Sequence, residues 1–316
     1  MTAAGMARGE SVAGRWSRTA RRIGSLMRAL LGRSDGLVGI VVLGLFTVLA
    51  IAPGLFVGPL ETLTGATGVP LQPPSFAHPF GTDELGRDLA NLTVHGARIS
   101  MTIGLMATVV TIVIGSVVGI VAGFAGGAVD NLLMRVSDFF LVLPTVVLAL
   151  ILAPIMLDVI GPQAELFGIR STLIVIVIVI GLTSWATTAR VIRSQVLSIK
   201  ERMFVDRARV IGSGSGRIMR HHVLPNVVNL IVAQSVLTFA AAVFTETTLA
   251  FIGLGDPTAP SWGQILNNAQ AAGAPGLGAW WYILPPAAAV VLVVLSFTLV
   301  GNALDDVLNP KALRRR

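Results

Sequence analysis

The sequence predicts an all-α polytopic membrane protein with six transmembrane helices. Of its 316 residues, 54% are hydrophobic and only 12% are charged, and the mean hydropathy is +0.81. A soluble domain of this length does not need so much apolar surface. Six apolar runs approach or exceed the roughly 20 residues that cross a bilayer, and they lie at 36–57, 99–123, 133–157, 172–190, 224–250 and 283–304.

The basic residues predict the orientation of these helices. With a cytoplasmic N-terminus, twenty of the 23 Lys and Arg residues fall in cytoplasmic segments, and only Arg87, Arg98 and Arg170 fall outside. Because positive charge concentrates on the cytoplasmic side of a membrane protein, both termini are expected in the cytoplasm. Topology thereby explains the net charge of +7. The expected environment is a lipid bilayer, and no nucleic-acid partner is needed.

The chain divides into four predicted parts. Residues 1–34 form a basic cytoplasmic tail, and 35–97 hold the first transmembrane helix with an extracytoplasmic connection. Residues 98–304 form the transmembrane core with a cytoplasmic loop at 191–223, and 305–316 form a C-terminal tail. The first apolar run and the basic region before it are both too long for a signal peptide. We therefore expect the first helix to be retained.

The polar segment from Glu201 to Asn226 is the most distinctive part of the loop. A period of 3.6 residues places four apolar side chains on one side of a helix, namely Met203, Phe204, Ala208 and Ile211. Asp206 on the other side can pair with Arg202 or Arg209. Gly212 is expected to end this helix in the left-handed conformation. Ser213 or Ser215 is expected to cap a second short helix.

The residues Asp206-Arg207-Ala208, followed after three residues by Gly212, resemble the EAA loop of ABC-importer permeases. Asp stands here for the family's Glu, and Arg207 stands for its middle Ala. In that family the loop is a coupling helix that sits in a cleft of the ATP-hydrolysing subunit. The resemblance implies roles in ATPase coupling for Phe204, Asp206, Arg207, Ala208, Arg209 and Gly212. An ordinary amphipathic surface helix is the alternative interpretation.

A second block lies before the second apolar run. Gly81, Thr82, Asp83, Gly86, Arg87 and Asp88 give the pattern G-T-D-x-x-G-R-D, which resembles the dipeptide/oligopeptide/nickel branch of these permeases. Glycines that flank an Asp/Arg cluster predict a turn held by local ion pairs. We expect a structural role for this motif rather than a contact with substrate.

Two further blocks that resemble the family carry acidic residues within apolar runs. In Gly123–Pro144, Asp130 is expected to cap a helix, and Asp138 is expected to pair with Arg135 three residues earlier. We favour a structural role for Asp138, or a contact on the ATPase side, over a proton relay. In Glu246–Leu254, Glu246 is an intramembrane acid and hence a candidate for translocation or gating. A helix–helix hydrogen bond is its alternative role.

Catalytic and metal-binding residues are not predicted. Neither Lys200 nor Lys311 follows a glycine, so the chain lacks a G-x-x-x-x-G-K-[ST] phosphate loop. His221 and His222 occupy adjacent helical positions that diverge, and no third ligand is near in the sequence. We therefore expect no cofactor in this chain, and ATP and Mg are expected in partner subunits.

The resemblance covers residues 78–310 and implies the type I (MetI-like) ABC-importer fold in a bacterial inner membrane. It also implies a second homologous permease that completes a heterodimer, two ATP-binding subunits and an extracytoplasmic binding protein. Peptides are the expected substrate class, with nickel-chelates or other small solutes left open. An ion-coupled secondary transporter is less favoured because intramembrane acids are few and lie toward the helix ends.

Overall fold

The computed structural model describes residues 31–60, 66, 68–161, 164–166 and 169–308. Most of the predicted N-terminal tail, residues 1–30, and most of the C-terminal tail, residues 309–316, lie outside this part of the chain. The described residues are almost entirely helical. In chain order the helices are α1 (Ser34–Ile51), α2 (Gly54–Val57), α3 (Leu89–Ala125), α4 (Gly127–Val142), α5 (Thr145–Ile160), α6 (Ser171–Lys200), α7 (Met203–Val210), α8 (Ser215–Ile218), α9 (Leu224–Leu249), α10 (Trp262–Ala271) and α11 (Trp280–Leu308).

Three smaller elements connect these helices. A two-residue hairpin pairs β1 (Glu165–Leu166) with β2 (Ile169–Arg170) between α5 and α6. A π-helical turn at Met219–Val223 joins α8 to α9, and another at Ala250–Leu254 extends α9. As a result, Ser215–Leu254 forms one nearly continuous rod that is long enough to cross a membrane.

The all-helical, multi-span prediction is confirmed. By length and composition, five described stretches can cross a membrane, and α4 with α5 forms a sixth if the pair is counted as one span. The prediction of one helix at 133–157 is wrong, because this stretch is divided between α4 and α5, which meet at an angle of 95°. Pro144 stands at the break, where it has no N–H to continue the hydrogen-bond ladder of α4.

The centre of the bundle is the contact between α3 and α6. Gly115, Gly119 and Gly123 recur every fourth residue of α3 and face α6. A methyl group added to Gly119 would lie only 2.6 Å from the carbonyl oxygen of Ala189. Small residues let transmembrane helices approach to backbone contact, so α3 and α6 pack as a single unit.

A second core lies where α1, α10 and α11 meet the start of α3. The side chain of Trp262 on α10 is fully buried, and its indole N–H donates to the carbonyl oxygen of Thr93 at 2.9 Å. The ring of Phe46 on α1 packs edge-to-face against it with centroids 5.7 Å apart. The helix α10 has only 10 residues and therefore covers one end of the bundle rather than spanning it.

Candidate functional site

The predicted coupling segment forms a compact hairpin of short helices at the end of α6. Lys200 ends α6, and α7 follows after two residues. Gly212 adopts φ of +80°, the left-handed value expected from the sequence, and the amide of Ser213 donates to the carbonyl of Ala208 at 2.9 Å. The helix α8 begins at Ser215 with Gly214 at its N-cap, so the expected serine cap is wrong, since no side chain caps α8.

The face of α7 that packs on the bundle agrees only in part with the predicted one, because Ala208 alone of the four predicted apolar residues is buried. Val205 and Ala208 are buried among the apolar residues of α3, α6 and α8, whereas Met203 is 70% exposed and Ile211 is 80% exposed. Val210, which directly precedes Ile211, is exposed as well. The segment therefore holds α7 in place through one side and leaves an apolar edge uncovered on the other.

The charged residues of α7 lie on its solvent-exposed surface. Arg209 donates to the carboxylate of Asp206 at 3.1 Å, and both side chains are largely exposed. The guanidinium of Arg209 also lies over the ring of Phe124, 6.0 Å from its centroid. Arg207 is exposed, and the ring of Phe204 lies 6.2 Å from that of His222. The family-derived coupling roles of these residues stay predictions.

The Gly81–Asp88 motif lies at the opposite end of α3, where the carboxylates of Asp83 and Asp88 accept hydrogen bonds from nearby residues. The buried carboxylate of Asp83 accepts from the amides of Leu85 and Arg87 at 2.9 and 2.8 Å and from Nε of Arg87 at 2.6 Å. Asp88 caps α3 by accepting from the amide of Ala90 at 2.6 Å. Gly81 and Gly86 both take positive φ, so this segment is a folded turn that fixes the start of α3.

Two ion pairs join α4 to α6. Arg193 donates to both carboxylate oxygens of Asp130, at 2.5 and 2.6 Å, which makes Asp130 an inter-helix anchor rather than the expected helix cap. Asp138 is paired with Arg190, so the expected pairing with Arg135 is wrong. Its side chain is half-exposed at the surface of the described chain. The packing of α6 along α4 brings Arg190 within reach of Asp138.

Glu246 is fully buried near the end of α9. Its Oε2 accepts from the hydroxyl of Thr247 at 3.4 Å, and its Oε1 has no hydrogen-bond partner within the described residues. The backbone of the neighbouring Thr247 lies against Gly263 of α10. Glu246 therefore sits at the junction of α9 and α10, and both its gating role and its alternative role in a helix–helix contact stay predictions.

A cavity of about 300 Å³ lies midway along the bundle, and the sequence analysis missed it. Its walls come from α3, α6 and α9 and from both sides of the bend between α4 and α5. Hydroxyl side chains dominate the wall on α6, at Thr183, Ser184, Thr187 and Thr188. The signal that could have revealed it is the helical spacing of these hydroxyls within an otherwise apolar span.

Comparison with known proteins decides the family. Residues 115–314 match the family described as binding-protein-dependent transport system inner membrane component. The chain belongs to this family. The matched residues include the coupling segment and the helices α6 to α11. This permease is thus a multi-pass protein of a bacterial inner membrane.

Several relatives of the permease are similar over most of its length. The dipeptide transport system permease protein DppC of Bacillus subtilis (strain 168) is 36% identical, over 87% of this chain and 81% of the relative. The protein of the same name from Alkalihalophilus pseudofirmus is 34% identical, over 87% and 85%. The oligopeptide transport system permease protein OppC of Bacillus subtilis is 33% identical, over 87% and 85%.

The permease has no metal-binding cluster within the described residues. No group of three or more His, Asp or Glu side chains lies close enough there to hold a metal ion. The charged residues that the structure brings together, in the α4–α6 pairs and in the Gly81–Asp88 turn, are engaged with one another.

Proposed function

We propose that this permease is the membrane-spanning subunit of an ATP-driven importer that translocates di- or oligopeptides. The names of its relatives, dipeptide and oligopeptide transport permeases, support the substrate class. The family description supports delivery by an extracytoplasmic binding protein. A second homologous permease and two ATPase subunits, which hold ATP and Mg, complete the assembly.

The observation that carries the coupling to ATP is the uncovered apolar edge of the coupling segment. Met203, Val210 and Ile211 are exposed on a segment whose other side, Val205 and Ala208, is fixed to the bundle. Exposed apolar side chains rimmed by polar residues mark protein–protein contact sites. An ATPase subunit that covers this edge would contact a helix whose other side is packed against the permease.

The mechanism that fits this arrangement is alternating access. ATP binding closes the two ATPases, α7 moves with them, and the bundle opens toward the binding protein. ATP hydrolysis reverses the movement and opens the bundle toward the cytoplasm. Nucleotide thus shifts the population between two states because it binds to the ATPases in one of them more tightly.

Proteoliposomes that contain the complete assembly test this function. We expect uptake of radiolabelled dialanine to require enclosed ATP, the ATPases and the binding protein together. Uptake by the permease alone along an ion gradient would instead identify a secondary transporter. ATP-dependent uptake of a nickel-chelate, without uptake of dialanine or longer peptides, would replace the substrate class and leave the importer mechanism in place.

A further inference from the structure

The central cavity is faced by polar stripes on two helices. On α6 its hydroxyl residues follow helical spacing from Thr183 to Thr188, and on α9 Gln234, Thr238 and Thr245 follow the same spacing. The α6 positions, and Gln234 and Thr238 on α9, lie near the middle of their helices, so these parts of the stripes fall close to the midplane of the membrane-spanning bundle, whereas Thr245 lies near the end of α9. Polar side chains at this depth face a bundle interior or a water-filled cavity.

The hydroxyls of the cavity do not serve to tie its walls together. Thr183 donates to the carbonyl of Val179 at 2.9 Å and Thr245 to that of Ala241 at 2.8 Å, both within their own helices. Each oxygen therefore keeps accepting capacity. No hydrogen bond between described residues joins the lining side chains of α6 to those of α9. Hydroxyl groups in a membrane interior are expected to form hydrogen bonds between helices. The hydroxyls of this cavity can therefore accept hydrogen bonds from a bound molecule.

Thr111 on α3 supplies an independent indication of a ligand. Its side chain lines the cavity and is fully buried, yet its Oγ1 has no hydrogen-bond partner among the described residues. A buried hydroxyl without a partner carries a free-energy cost. A molecule in the cavity that offers a hydrogen bond removes this cost.

The broken span forms the remaining wall. Leu141 and Thr145, which line the cavity, stand on either side of the 95° bend between α4 and α5. Interrupted helices at membrane depth are tolerated where they are buried in protein or line a water-filled cavity. The bend is therefore consistent with a water-filled cavity rather than with a surface that faces lipid.

The uncharged, hydroxyl-rich lining of the cavity favours hydrogen bonds over ion pairs with a bound molecule. Among the described residues, those that line the cavity include no Asp, Glu, Lys, Arg or His. A fixed charge in a low-dielectric site would attract substrates of one sign and repel the other, whereas Ser and Thr hydroxyls both donate and accept. All peptides share main-chain N–H and C=O groups, which are strong donors and acceptors.

We propose that this cavity is a binding site on the translocation path. Its hydroxyl side chains bind the main chain of a peptide, irrespective of the charge of the peptide's side chains. The proposal rests on the proposed peptide-transport function. It assigns binding to Thr183, Thr187 and Thr238, with Thr111 at the back of the cavity. Specificity for peptide sequence is then left to other parts of the transporter.

The absence of cysteine from the chain permits a direct test. Single-cysteine variants Thr187→Cys, in the cavity, and Leu182→Cys, exposed on another face of α6, are incorporated into complete transporters with cysteine-free partners. A hydrophilic methanethiosulfonate reagent is expected to label Thr187→Cys at least tenfold faster than Leu182→Cys. Ala-Ala-Ala, Ala-Glu-Ala and Ala-Lys-Ala are expected to slow this labelling equally.

Equal labelling rates for the two variants, or labelling of Thr187→Cys that none of the three peptides slows, would overturn the proposal. Uptake by the wild-type transporter separates the causes of failure. If the wild type takes up peptides while Thr187→Cys behaves like Leu182→Cys, the cavity assignment alone is wrong. If the wild type takes up no peptide, the proposed function is wrong, and this proposal is wrong with it.

Substitutions at Thr187 test the selectivity. Thr187→Val keeps the shape and removes the hydroxyl, and it is expected to raise KM for all three tripeptides by a similar factor of roughly three to ten, the effect of one hydrogen bond. Thr187→Asp is expected to favour Ala-Lys-Ala over Ala-Glu-Ala about tenfold at the same protein level. An equal effect of Thr187→Asp on both peptides would show that the cavity does not contact them.

Discussion

The guanidinium of Arg193 on α6 donates to both carboxylate oxygens of Asp130 on α4, at 2.5 and 2.6 Å. The Asp130 side chain is 12% exposed and that of Arg193 is 32% exposed, so water screens this pair only partly. The neighbouring pair of Asp138 and Arg190 joins the same two helices, but its side chains are about half-exposed. The two pairs allow a matched comparison of ion pairs in one helix contact.

Asp130→Asn is expected to lower the stability of the permease by about 1–3 kcal/mol, because it leaves a partly buried guanidinium without its charged partner. Asp138→Asn is the control, and its effect is expected within about 1 kcal/mol, since exposed pairs contribute little. Thermal unfolding in detergent, monitored by size-exclusion chromatography, measures the stability of both variants. Equal melting temperatures for the two variants would contradict the assignment of Asp130 as the anchor.

Ile211→Ser is expected to weaken binding of the ATPase subunit without changing the stability of the isolated permease. Ile211 is 80% exposed, and its burial by a partner would contribute on the order of 2 kcal/mol, or roughly thirtyfold in affinity. Titration of purified ATPase onto nanodisc-embedded permease measures the change. Val205→Ala serves as the control: it is expected to lower permease stability, because Val205 is fully buried. Unchanged ATPase affinity in Ile211→Ser would place the docking surface elsewhere.

Asp83→Ala is expected to unfold the turn that precedes α3. The carboxylate accepts three hydrogen bonds, and its loss leaves the guanidinium of Arg87, only 14% exposed, without its charged partner. Asp83→Asn keeps an acceptor for the two amides and is expected to destabilise the turn less than Asp83→Ala does. Limited proteolysis of the purified permease measures the opening of the turn. A larger effect of Asn than of Ala would contradict this account.

Glu246→Gln is expected to leave stability and ATP-driven uptake close to wild type. The carboxyl is fully buried, lies outside the lining of the central cavity and has one oxygen without a partner, so a neutral side chain of the same shape fits the site. Uptake of labelled dialanine by the complete transporter measures the effect of the substitution. Loss of uptake in correctly folded Glu246→Gln protein would instead assign this carboxyl to gating or to proton coupling.

Hydropathy predicted the membrane spans because the length of a span is set by the bilayer and not by packing. It did not predict the break at Pro144, since Pro154 stands inside α5 and the adjacent Pro285 and Pro286 stand inside α11 without ending either helix. A proline identifies a position where a helix can break. The packing around it decides whether the helix does break.

The side-chain partners were less predictable than the helices. A sequence displays Arg135 three residues before Asp138, whereas the actual partner, Arg190, becomes visible only once α6 lies along α4. The same limit applies to α7, where the periodicity indicates an amphipathic helix but the neighbours choose which apolar residues are buried. Left-handed Gly212 was predictable because local backbone geometry alone demands it.

The close contact of α3 with α6 has a mechanical consequence. Both helices are anchored to the coupling segment, through Phe124 on α3 and Val196 on α6. Glycines hold their backbones together over several turns, so the two cannot bend independently. With 30 residues, α6 is a strut about 45 Å long. A tilt of about 5° imposed at the end of α6 next to the coupling segment would move its far end by about 4 Å, which is enough to change the width of a passage through the bundle.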